Sequence, residues 1–186
     1  YKFLIYLYFM LTFDDIVDSF ARVCCKKTVV TDDIRSLSYG NLQSNGNNLA
    51  VFLKKYKITK GDRVALLSYN RIEFAEILYA TSKLGAIVMP INFRLSKEEI
   101  ASIIYDADPK FFLYERAFSK TINYLVKSNF LARNMVLCID TKNYYKLLTK
   151  SKNTYPLNLK NSKKNDYWSL MYTSGTTGKP KGVIRN

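Results

Sequence analysis

The 186-residue sequence contains no histidine, only three cysteines and four prolines, and roughly one acidic residue for every two basic ones (15 against 29). Without histidine there is no Ser-His-Asp triad, no His-ligated zinc and no imidazole proton shuttle. Cys24 and Cys25 are adjacent and Cys138 lies in an apolar run, so neither a metal spacing nor a disulfide framework can be read, and reduced thiols are expected. Long apolar runs are also scarce. The longest, residues 3–13, has the length of a signal-peptide core and is too short to span a bilayer as a helix. Only Lys2 precedes it, no small-residue cleavage site follows, and Asp14 and Asp15 end it. A cytoplasmic protein is therefore expected. Residues 1–9 could be upstream sequence read in frame, with the domain starting at Met10.

What is present is ordinary globular material, 48% hydrophobic and 24% charged. The net charge of +14 raises the question of nucleic acid. Its lysines are scattered along the chain, which points to composition more than to a binding footprint. One basic cluster, residues 142–164, reads as a solvated loop preceded by a short helix. A basic nucleic-acid-binding module stays open as an alternative of another class, with loss of binding at physiological salt as the result that would end it.

Apolar strands alternate with amphipathic helices. Thr12 with Asp15 reads as a capping box, followed by Phe13, Ile16, Val17, Phe20 and Cys24 at helical spacing. A short strand at residues 27–32 and a helix capped by Ser38 come next, then a strand at 64–69. Residues 71–84 read as a helix closed by Gly85, with Arg71 and Glu73 as exposed charges at its start. Strands follow at 86–91, 110–115 and 135–140. Ser96 and Glu99 form a second capping box, giving a helix over 97–107 that stops before Pro109. The pattern predicts an α/β fold, mostly a parallel sheet with helices on both faces.

The chemistry concentrates in residues 172–183, YTSGTTGKPKGV, with three Gly, three Thr, one Ser and two Lys. Glycines let backbone N–H groups close round a phosphate, hydroxyls add donors, and lysines add charge. The P-loop pattern G-x-x-x-x-G-K-[ST] does not fit. Two residues separate Gly175 from Gly178, Pro180 follows Lys179, and Gly182, Val183 and Ile184 favour strand over helix. The loop should join two strands, with no helix N-terminus behind it.

This stretch resembles the signature phosphate-binding loop of the adenylate-forming (AMP-binding) superfamily, in particular its acyl-CoA synthetase branch. Two weaker matches stand upstream in the family's order, LSYGNL at 37–42 and KLGAIVMPIN at 83–92. Asn41 replaces the acidic residue common in the first. The resemblance implies that residues 10–186 are the N-terminal part of an adenylation domain, truncated after the phosphate-binding loop and expected to be inactive alone. It implies ATP, Mg²⁺ and coenzyme A as cofactors and a carboxylic acid as substrate, of the long- or medium-chain fatty-acid type. An o-succinylbenzoate–CoA ligase or a nonribosomal peptide adenylation domain is the alternative. By motif position, Thr173, Ser174, Thr176 and Thr177 would donate hydroxyls to the β- and γ-phosphates, with Thr176 or Thr177 near Mg²⁺. Gly175 and Gly178 would allow close backbone approach, and Lys179 and Lys181 would supply charge. No catalytic residue is assigned, because the family's catalytic lysine falls beyond Asn186.

Overall fold

Two short polar sidechains set the frame of the first helices. The Thr12 backbone N–H donates to the Asp15 carboxylate (3.2 Å) at the head of α1, Phe13–Cys24, and Ser38 Oγ accepts from Asn41 N (3.2 Å) at the head of α2, Tyr39–Lys55. The computed structural model describes residues 12–149, 162–163, 165–173 and 180–186. Between α1 and α2, strands β1 (Thr28–Thr31) and β2 (Ser36–Ser38) pair antiparallel as a separate hairpin. The strand expected at 27–32 thus exists but does not join the main sheet.

Beyond α2 the chain alternates strictly: β3 (Arg63–Leu67), α3 (Glu73–Leu84), β4 (Ile87–Pro90), α4 (Lys97–Ala107), β5 (Phe111–Tyr114), α5 (Ser119–Lys127), β6 (Val136–Cys138), α6 (Lys142–Thr149), then β7 (Ser169–Thr173) and β8 (Lys181–Arg185). The strands form one sheet in the order β6-β5-β3-β4-β7-β8, parallel except for the antiparallel β7–β8 pair. The capping box at Ser96 and Glu99 opens α4 as read from sequence, and Gly85 closes α3 in the left-handed conformation (φ 66°).

Alternation along the strands divides the core in two. Val64, Leu66, Val88, Phe111 and Leu113 face α2, α3 and α6, whereas Ala65, Leu67, Met89 and Phe112 face α4 and α5. On the first face α2 crosses α3 at a helical glycine: a Cβ on Gly46 would lie 2.2 Å from Tyr79 Cδ1, and Tyr79 is wholly buried.

The face of α1 departs from the sequence reading. Asp14, Val17 and Ala21 point inward, while Phe20 is exposed and stacks on Tyr39 (4.9 Å). Asp14 turns inward because partners wait there: its Oδ1 accepts from Ser82 Oγ (2.6 Å), Thr12 Oγ1 (2.7 Å) and Ser162 Oγ (2.9 Å). Among the described residues no helix is long and apolar enough to cross a membrane.

Candidate functional site

Parallel strands carry their loops at the C-terminal edge, where open α/β sheets take ligands. Thr173, the last residue of β7, reaches this edge opposite Lys181, the first of β8, and its Oγ1 donates to the Lys181 carbonyl (3.5 Å). The two flanks of the Gly/Thr/Ser/Lys stretch are therefore brought together as an antiparallel pair. Strands precede and follow the stretch as expected, β7 ending at Thr173 and β8, not a helix, beginning at Lys181. Ser174, Gly175, Thr176, Thr177, Gly178 and Lys179 lie outside the described residues. Of the site residues read from sequence, the structure thus places Thr173 and Lys181.

The hairpin is attached to the sheet at its base. β7 meets β4 through one register pair, Val88 with Ser169, beside the bond from Val88 N to the Trp168 carbonyl (3.0 Å). Leu170 is buried among residues of α4 and α5, and Tyr172 packs against the edge of that cluster. The Tyr172 hydroxyl donates to Asp106 of α4, and the pair, with burial foremost, pushes the phenol above its ordinary value. Every residue of β8 is exposed, Val183 and Ile184 included.

The neighbouring loops of the same edge carry aromatics. Tyr69, after β3, lies edge-on to Phe93 (4.8 Å) and tilted against Phe118 (5.1 Å), which follow β4 and β5. Next to them Glu115 accepts from Tyr69 N (3.0 Å), Ser68 Oγ (3.2 Å) and Arg71 Nη1 (3.3 Å).

Behind this edge lies a buried network. Arg71 and Glu73 are not the exposed helix-start charges expected. The Glu73 side chain is 1% exposed and accepts from Arg35 (3.1 Å), Arg71 (3.1 Å) and Tyr145 (2.7 Å). Burial pushes its carboxyl up, but these donors outweigh it and hold the group below its ordinary value. Glu76 is one turn further on, bonded to Asn45 (2.8 Å) and Tyr144 (3.1 Å) with Arg35 at 3.6 Å. There burial wins and raises the carboxyl. The signal was available: Glu73 leads Ile77, Ala80 and Leu84 along one helical face, and those three are buried.

Glu76 yields a pH prediction. A raised folded-state value means that ionisation opposes folding, so stability present below the ordinary value of 4.5 declines as pH rises from there to the raised value. Glu76→Gln is expected to raise the melting temperature at pH 7.5, with the gain vanishing near pH 4. A gain of equal size at both pH values would show that charge is not the cause.

Against known proteins, the profile of the AMP-binding enzyme family matches residues 17–186. The chain belongs to that family. It is 33% identical over 152 residues to the long-chain-fatty-acid–CoA ligase FadD13 of Mycobacterium tuberculosis, covering 82% of this chain and 30% of the relative. To the 2-succinylbenzoate–CoA ligase of Oceanobacillus iheyensis it is 31% identical over 159 residues, covering 85% and 30%. The inhibitor-bound crystal structure of the N-terminal domain of FACL13 from Mycobacterium tuberculosis matches 94% of this chain and 44% of that one, at 28% identity and a TM-score of 0.79. The chain spans about a third of the length of the curated relatives it matches.

Proposed function

We propose that residues 10–186 are the N-terminal part of the adenylation domain of a cytoplasmic ATP-dependent acyl-CoA synthetase, an AMP-forming acid–thiol ligase. The observation that carries the reading is the stretch at 172–183, with its flanks Thr173 and Lys181 paired at the C-terminal edge of a parallel sheet. Membership of the AMP-binding family and the CoA ligases among its relatives support it. In the reaction a carboxylate oxygen attacks the α-phosphorus of ATP and the bond to pyrophosphate breaks, leaving an acyl-adenylate. The sulfur of coenzyme A then attacks the acyl carbon, AMP departs, and the thiol proton passes to solvent.

The chain's task is to hold and neutralise the phosphates while the carboxylate is positioned. Thr173, Ser174, Thr176 and Thr177 donate to the β- and γ-phosphates, Gly175 and Gly178 let the backbone approach, and Lys179 and Lys181 supply charge. Mg²⁺ would come with the nucleotide and further neutralise its phosphates, faced by the hydroxyl of Thr176 or Thr177. Among the described residues no group of three His, Cys, Asp or Glu is placed to hold a metal. The carboxylic acid is of the long- or medium-chain fatty type, by likeness to the FadD13 relative. The nucleic-acid alternative turns on the basic segment 142–164, of which residues 150–161 and 164 lie outside the described residues.

The test uses a full-length polypeptide, meaning this sequence together with the remaining length of its relatives. It is expected to exchange labelled pyrophosphate into ATP in the presence of a fatty acid. No exchange with any carboxylic acid would refute the assignment, and exchange only with succinylbenzoate or with amino acids would replace the substrate class.

A further inference from the structure

We infer that Asp106, Tyr172 and Gly182 form an anchor that sets the angle at which the β7–β8 hairpin presents its loop, so that Asp106 and Tyr172 are positioning residues for phosphate binding. The inference rests on the phosphate-binding reading of that loop. Three observations converge on it.

The one register pair between β7 and β4, Val88–Ser169, lies at the start of β7, so the stretch from Leu170 to Thr173 runs beside β4 without a further ladder pair. Leu170 and then Tyr172 project to the same face, the first into the core and the second along it, where its hydroxyl reaches Asp106. Asp106 links the hairpin to α4, a helix fixed by its own core contacts through Ile100, Ile103 and Ile104.

Across the hairpin, Gly182 stands opposite Tyr172. A Cβ there would come within 3.1 Å of Leu170 Cδ1 and 3.3 Å of Tyr172 Cζ. The missing side chain therefore makes room for the ring whose hydroxyl makes the bridge.

Asp106 also sits in the last turn of α4, where the helix dipole disfavours a carboxylate. Arg63 donates to the carbonyls of Ala107 (2.8 Å) and Asp108 (2.9 Å) in that same terminus, which tempers the negative end of the helix. An acid at this position gains a strong hydrogen-bond donor in Tyr172, and the bond ties the residue immediately before Thr173 to a rigid element.

In the full-length polypeptide, Tyr172→Phe keeps the ring over Gly182 and removes the bridge. It is expected to speed amide hydrogen exchange in β8, and to raise the KM for ATP about three- to tenfold with a smaller change in kcat. Asp106→Ala should match it, while Asp106→Asn, which keeps an acceptor, should restore most of the affinity. Gly182→Ala, which displaces the ring, gives the same test through a different residue. Unchanged β8 exchange and KM in Tyr172→Phe and Asp106→Ala would overturn the anchor. If β8 exchange rises but the unsubstituted protein shows no ATP-dependent reaction, the anchor stands and the phosphate reading falls.

Discussion

Lys179→Ala in the full-length polypeptide is expected to lower pyrophosphate exchange about a hundredfold, the scale of removing one preorganised charge from a transferring phosphoryl group. Attack on the α-phosphorus moves negative charge onto the departing pyrophosphate, and a fixed ammonium there stabilises the transition state more than the ground state. The loss should therefore appear in kcat as well as in KM. Lys179→Arg should recover part of the charge but not the geometry, since a planar fork replaces a compact ammonium. Thr177→Ala, which removes one neutral donor, is expected to cost about tenfold. An unchanged rate in Lys179→Ala would remove that residue from the site, whatever the fate of the other loop positions.

The second large effect concerns stability. Gly46→Ala replaces the worst non-proline helix former with the best, which on propensity alone should stabilise α2 by about 1 kcal/mol. The expected outcome is the opposite sign. The new methyl would lie 2.2 Å from a ring carbon of Tyr79, and that ring cannot swing away, because Tyr79 is wholly buried and its hydroxyl is held by Asp18 and Asn47. Forcing α2 and α3 apart should cost about 2–3 kcal/mol, a fall in melting temperature of about 5–10 °C. A pair of variants separates the causes. Tyr79→Ala alone should destabilise by opening space, yet, because it removes Cγ and Cδ1 and leaves only the Cβ contact at 3.2 Å, it should make Gly46→Ala much less costly in the double variant. A melting temperature that rises in Gly46→Ala alone would show that the two helices give way instead of clashing.

Local signals in the sequence carried far. Ser96 with Glu99, Gly85 and Pro109 each act within one turn of their own position, and the helix and strands they bound appear where the pattern put them. Long apolar stretches such as those around Val64 and Phe111 fold as strands buried on both faces. What could not be read depends on partners remote in sequence. Asp14 faces inward because Ser82 is there to donate, and Glu73 is buried because Arg35 and Tyr145 converge on it from 38 and 72 residues away. A composition of isolated charges looks exposed until those donors are known. The same holds at the loop. Its chemistry is written in one continuous stretch, but the bridge to Asp106 spans 66 residues and has no local mark beyond an acid at the wrong end of a helix.

Glu115 bears on what the middle of this sheet edge can accept. β3 and β5 are neighbours, yet the helices that follow them, α3 and α5, pack on opposite faces. Such a divergence opens the crevice in which doubly wound sheets ordinarily take an anion. Here the crevice is stoppered from within: Glu115 accepts the Tyr69 N–H and the Arg71 guanidinium that a phosphate would otherwise claim. The protein's own carboxylate thus occupies both donors, so an anion entering the crevice would first have to displace Glu115 from them.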